Sequence, residues 1–299
     1  MKTVKWRREL PLHILVFPSL IIVFLYCYIP MFGNIIAFQD FRPIKGLLGS
    51  EWTGLTNLKY VLEMPNTYRI IWNTVYISTM KIMMGNIVPI IIALMLNEIR
   101  KTYVRRSIQT MIYFPYFLSW VILAGILIDI LSVQNGIVNQ ALGWFGIQPI
   151  YFLGNNTWFP ITLVVTDTWK EFGFNTIVFL AALTSINPSL YEAALIDGAN
   201  RWKQTLHITL PGILPIVILM TTLSLGNVLN AGFDQVFNLY SPQVYESGDI
   251  LDTMIYRIGV ADAQYGPATA IGLLKSSVSL MLISVSYWMA YRFANYRIF

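Results

Sequence analysis

The chain has 299 residues, of which 56% are hydrophobic and only 12% are charged, about half the charged share of an ordinary soluble domain. So much apolar side chain cannot be hidden inside one core, and a bilayer accepts it provided that backbone polar groups are satisfied within helices. The formal charge of +5 and the pI near 9.2 do not point to nucleic acid, because the basic residues gather at the ends of apolar runs, as membrane topology requires.

Lys2, Lys5, Arg7 and Arg8 open the chain like a signal peptide, but the apolar stretch behind them exceeds the roughly 20 residues of a span and carries no small-x-small cleavage site, so it reads as an uncut first helix. Six windows follow in order, approximately 12–38, 70–97, 106–132, 158–183, 212–232 and 268–291. Each is long enough to cross a hydrocarbon core of about 30 Å at about 1.5 Å per helical residue. The expectation is an all-α membrane protein, a single transmembrane domain over 1–299. No internal repeat is visible, which argues against an inverted-repeat carrier. Cys27 stands alone, so no intramolecular disulfide is possible. His13 and His207 lack cysteine or acidic neighbours at ligand spacing, so no metal site is expected.

Lys and Arg in the flanking segments set the orientation. Lys2, Lys5, Arg7, Arg8, Arg100, Lys101, Arg105, Arg106, Arg201, Lys203, Arg292 and Arg297 fall on one side, against Arg42, Lys45, Lys59, Arg69 and Arg257 on the other. Both termini are therefore expected to be cytoplasmic, with external segments at 39–69, 133–157 and 233–267. The last carries Asp234, Glu246, Asp249, Asp252 and Asp262 among Tyr240, Tyr245, Tyr256 and Tyr265. It is either a docking loop or a solvated loop closing over the bundle.

The cytoplasmic segment 184–211 reads as two short helices. Asn187 can cap the first with Pro188 in its first turn, or Ser189 and Glu192 can form a capping box. Gly198 supplies a positive φ that ends it, and Pro211 suits the first turn of the next span. Leu190, Ala194 and Leu195 or Ile196 give the projecting helix an apolar face, which needs either a partner protein or the lipid interface.

Glu192-Ala193-Ala194, Gly198 four residues on, and Ile208-Thr209-Leu210-Pro211 after a nine-residue interval resemble the EAA loop of binding-protein-dependent ABC importer permeases. Asp197-Gly198-Ala199 resembles the version in the carbohydrate-uptake branch. Phe17-Pro18, Tyr28-Ile29-Pro30-Met31 and Ile36-Ala37-Phe38-Gln39-Asp40-Phe41 look like the permeases for larger oligosaccharides and polysaccharide fragments, the lipoprotein-associated and alginate-type importers. The likeness covers nearly the whole chain, and it departs from the maltose-type larger subunit, which has additional helices and a large external insertion.

The resemblance implies a type I importer permease core in a bacterial cytoplasmic membrane. Its partners would be a second, unlike permease subunit, two cytoplasmic ATPases and an extracellular solute-binding lipoprotein. Glu192, Ala193, Ala194, Asp197 and Gly198 would couple to the ATPase. No G-x-x-x-x-G-K-[ST] phosphate loop is present, so ATP and Mg belong to the partner, and this chain needs no cofactor and is not an enzyme.

Ionisable residues within spans default to a bundle interior or a water-filled path; they are Lys81, Asp129, Asp167, Lys170, Glu171 and Lys275. Asp167, Glu171 and Asn175 share one helical face, and Asp167 could pair with Lys170 at spacing three. Ser224, Asn227, Asn230 and Asp234 read as a polar stripe on the fifth span. Sugars need amide and carboxylate hydrogen bonds and aromatic stacking, and the family resemblance puts the carbohydrate between the spans flanking the loop. The expected sugar path is therefore Trp169, Glu171, Phe174, Asn175, Asn227 and Asn230, each of which could instead be polar or packing glue between helices. The rival readings are an ABC permease for peptides or amino acids, and an ion-coupled carrier or channel using Asp129, Asp167 and Lys170.

Overall fold

The computed structural model describes residues 2–294, with side chains placed for 9–288 and for Arg292. The side chains of Lys2, Lys5, Arg7 and Arg8, and the whole of Arg297, lie outside the described residues. The chain divides into two compact units, residues 1–65 with 255–274 and residues 66–254 with 275–299.

The first unit is built on α1, Glu9–Phe38, a helical run that passes through a π-helical turn at Phe24–Tyr28 and tightens to 3-10 over Phe32–Phe38. Every side chain from Leu10 to Phe32 is exposed, Cys27 included. A face so apolar without a protein neighbour is what a lipid-facing helix presents. Beyond it, Gln39–Asp40 pairs antiparallel with Glu51–Trp52. Asn57 Nδ2 fastens this hairpin by donating to the carbonyls of Ala37 (3.1 Å) and Gln39 (2.9 Å). A side chain at Gly266 would strike the same Asn57 amide.

The second unit holds the remaining long helices: α2 (Thr67–Asn97), α3 (Thr102–Phe117), α4 (Trp120–Ile130), α5 (Trp158–Thr184), α6 (Pro188–Ile196), α7 (Arg201–Leu225) and α8 (Phe233–Leu239). It also holds the part from Lys275 onward of α9 (Tyr265–Ala294). The pair α2 and α5 forms its spine. One cluster packs Ile77, Leu123, Phe159, Leu163, Val236 and Ile250; another packs Ala93, Phe179, Leu183 and Ile213.

The expected third span, 106–132, is not one helix. α3 and α4 meet at 102°, because Pro115 has no amide hydrogen to carry the helix on and Leu118 is extended. Ser119 then restarts the helix, its hydroxyl accepting from the amide of Ile122. At Gly173 the backbones of α5 and α3 approach so closely that a Cβ would meet the Ile112 carbonyl, the close-contact use of small residues in membrane helices. Gly173→Ala is expected to cost about 1–3 kcal/mol, read as a lower melting temperature in detergent. Gly125→Ala, with open space at its Cβ, should not lower it.

The fifth span, expected at 212–232, ends at Leu225; Gly226 to Leu229 turn, and Gly232 has φ of 90°. A side chain at Gly226 would strike Ile283 of α9. Asn227 and Asn230 therefore sit on turns, not on a helical stripe. Nor is the segment after them a solvated loop: Gln235, Val236, Val244, Asp249 and Ile250 are buried. Much of its acidity is internally engaged, since Glu246 pairs with Arg69 (3.3 Å), Asp252 pairs with Lys275, and Asp249 accepts from Thr253 Oγ1 (2.7 Å).

Candidate functional site

α5 carries the expected face: Asp167, Glu171 and Asn175, four residues apart, line a cavity of about 260 Å³. Lys81 and Asn86 of α2 form another wall, and Ser224, Asn227, Asn230 and Gly232 from the end of α7 and its following turn close it. The turn achieves what a continuous helix was expected to do, bringing both asparagines to the cavity. Trp169 and Phe174 point elsewhere. Trp169 is 46% exposed, and Phe174 stacks on Tyr116 with ring centroids 4.2 Å apart.

The charge pairing differs from expectation. Asp167 does not pair with Lys170; its Oδ1 lies 3.1 Å from Lys81 Nζ. That ammonium also donates to the Ala231 carbonyl (2.7 Å) and to Gln235 Oε1, and Gln235 Nε2 donates in turn to the Leu163 carbonyl (2.9 Å) and Thr166 Oγ1 (2.8 Å). This network ties α2, α5 and α8 together through groups 69 to 154 residues apart. It also accounts for Gly232, where a Cβ would sit 3.0 Å from Lys81 Nζ at a φ that favours glycine. Spacing along one helix held no sign of it.

Lys170 serves the break between α3 and α4. Its Nζ donates to the Tyr116 carbonyl (3.0 Å), pairs with Glu171 (3.1 Å), and lies over the rings of Tyr116 and Trp120. The carbonyl freed by the bend thus gains a charged donor. Asp129 lines a different cavity with Tyr151 and Asn238. Asp129, Asp167 and Lys170, the residues of the carrier reading, are not assembled into one relay.

At the other end of α5, the segment 184–211 folds as its local signals require. Asn187 is extended before Pro188, and its Oδ1 accepts from the Ser189 amide (3.0 Å), starting α6 at 67° to α5. The capping box of Ser189 and Glu192 does not form. α6 ends in a Schellman motif: Gly198 has φ of 74°, the Ala199 amide donates to the Ala194 carbonyl (2.8 Å), and the Gly198 amide donates to Leu195 (3.1 Å). The expected second short helix is not separate, since Arg201 begins α7 itself and a π-helical turn at Thr205–Thr209 precedes Pro211. Tyr191 Oη bonds Thr209 Oγ1 (3.0 Å) and Arg201 pairs with Glu98, holding α6 against α7 and the end of α2.

Glu192, Ala193, Asp197 and Gly198 are exposed and Ala194 is half-buried. Leu190, Leu195 and Ile196 are exposed as well, Ile196 at 88%.

A polar cavity midway along one helix, with an unclothed apolar helix at that helix's end, is matched by a known architecture. The model of the binding-protein-dependent transport system inner membrane component covers residues 85–294. The chain belongs to that family. The polygalacturonan/rhamnogalacturonan transport system permease protein YteP of Bacillus subtilis (strain 168) is 37% identical over 284 residues, 95% of this chain and 88% of that one. A bacterial ABC transporter that imports the acidic polysaccharide alginate matches with a TM-score of 0.89 at 36% identity, over 98% of this chain and 99% of that one. The alginate transporter in complex with an alginate pentasaccharide-bound periplasmic protein matches with a TM-score of 0.88, over 96% of each chain, at 36% identity. The chain is thus an ABC importer permease, a multi-pass inner-membrane protein on the helical fold expected.

Proposed function

We propose that this permease forms one side of the path by which an ATP-driven importer moves an oligosaccharide delivered by an extracellular binding protein. The observation that carries the proposal is the continuity of α5. One helix bears Asp167, Glu171 and Asn175 on a polar cavity and ends at the exposed α6. Within the described residues, the side chains of Asn175, Ser224, Asn227 and Asn230 make no hydrogen bond, so they are uncommitted to packing and suit sugar hydroxyls.

In this reading Glu171, Asn175, Asn227 and Asn230 contact the sugar. Trp169 and Phe174 act through helix packing or an adjoining subunit. Glu192, Ala193, Ala194, Asp197 and Gly198 dock in a groove of an ATPase subunit, which binds ATP and Mg; two such ATPases and a second permease complete the importer. Both termini and the segment 184–211 are cytoplasmic, in keeping with the distribution of Lys and Arg. ATP-driven closure of the ATPase pair switches the cavity between inward and outward access, a two-state element biased from two sites.

Uptake into vesicles tests the proposal. Transport that needs ATP and the second chains supports it, whereas transport by this chain alone under an ion gradient would overturn it. Asn227→Ala with Asn230→Ala is expected to cut uptake by about tenfold, the effect of losing one or two hydrogen bonds in the path, while the complex still co-purifies. Uptake at the wild-type rate would remove both residues from the path.

A further inference from the structure

We infer that the path through this subunit accepts neutral oligosaccharides and discriminates against carboxylated ones, an inference that rests on the cavity being the sugar path. Three charged residues line the cavity, Lys81, Asp167 and Glu171, and with Lys170, which pairs with Glu171 from outside the lining, the charges balance in number but are presented unequally. The side chains of Lys81 and Lys170 are each 9% exposed, whereas those of Asp167 and Glu171 are 22% and 32% exposed.

The lysines are also spent. An ammonium has three donors, and those of Lys81 are taken by Asp167, the Ala231 carbonyl and Gln235. Lys170 is held by Glu171, the Tyr116 carbonyl and two aromatic rings, and it does not line the cavity. No arginine, the side chain best suited to grip a carboxylate in two-point fashion, lines it either.

A sugar carboxylate entering here would lose water beside two carboxylates without gaining a cation, which is unfavourable both in desolvation and in Coulomb energy. A sugar hydroxyl meets the opposite situation. Asn175, Asn227 and Asn230 offer amides that both donate and accept, and Ser224 adds a half-buried hydroxyl to the same lining. The alginate importer handles an acidic polysaccharide, so likeness alone would suggest the reverse.

The test measures equilibrium binding of radiolabelled tetrasaccharides to the assembled permease and ATPase complex without its binding protein. The probes are a panel of neutral xylo-, arabino-, gluco- and galacto-tetrasaccharides and tetragalacturonate. At least one neutral probe is expected to bind about tenfold or more tighter than tetragalacturonate, and Glu171→Gln, which can keep a hydrogen bond to Lys170, should narrow that ratio by about tenfold. Equal or tighter binding of tetragalacturonate, a ratio unmoved by Glu171→Gln, or no binding of any probe would overturn the inference. ATP-driven uptake by the complete importer separates this from the functional reading. Uptake of tetragalacturonate at the rate of the neutral sugars sinks the inference alone, whereas absence of ATP-driven uptake of every oligosaccharide sinks the permease reading itself.

Discussion

Lys81→Met is expected to destabilise the permease by about 3 kcal/mol, the lower end of what breaking a buried pair costs, because the Asp167 side chain is 22% exposed and partly hydrated. The loss has three parts: Asp167 keeps a charge without its partner, the Ala231 carbonyl loses its donor, and Gln235 Oε1 faces an apolar chain. The expected result is a clear drop in the melting temperature of the detergent-purified protein and a lower yield of assembled complex. Adding Asp167→Asn to Lys81→Met should recover part of the loss, since the second change removes the stranded charge. The two substitutions must therefore combine to less than their sum. A strictly additive pair, or a Lys81→Met protein as stable as the parent, would show that the ammonium does not hold α2 to α5 and α8.

Glu192→Ala is expected to act on assembly and leave the fold untouched. Glu192 is exposed and makes no hydrogen bond or ion pair within the described residues, and α6 is capped by Asn187, so nothing in this chain depends on the carboxylate. In the proposed importer it anchors the ATPase, and losing one charge-assisted contact at an interface costs about 1.5–3 kcal/mol, roughly a ten- to hundredfold weaker association. ATP-driven uptake should fall to match, while the melting temperature of the isolated permease stays put. Undiminished recovery of the ATPase with the mutant would remove Glu192 from the coupling surface.

The residues explain what could be read in advance. Signals that act within a turn or two survived intact: Asn187 before Pro188, Gly198 at a positive φ, and the i, i+4, i+8 series Asp167, Glu171 and Asn175, which reach one cavity as helical geometry requires. Polar residues at spacing three on the fifth span misled in form though not in position, because Gly226 and Gly232 end the helix and the turn between them carries Asn227 and Asn230 inward. Two glycines flanking asparagines are turn chemistry, and they were the available clue. The break between α3 and α4 had a comparable clue, a proline four residues before a serine able to cap. Nothing local indicated that Lys81 would choose Asp167 and Gln235, or that Lys170 would turn to Tyr116. Such partners are brought together only by the packing of distant helices.

In the proposed importer, the 67° angle between α5 and α6 would serve as a crank. α5 has 27 residues and so measures about 40 Å at about 1.5 Å per residue. A tilt of about 5° about its Thr184 end carries Trp158 some 3.5 Å sideways, an excursion comparable to the width of a water molecule, on a shaft of this length. In the proposed importer, a push on the short arm that moved both helices as one body would become an amplified swing of the long one, and the carboxylates partway along would travel an intermediate distance.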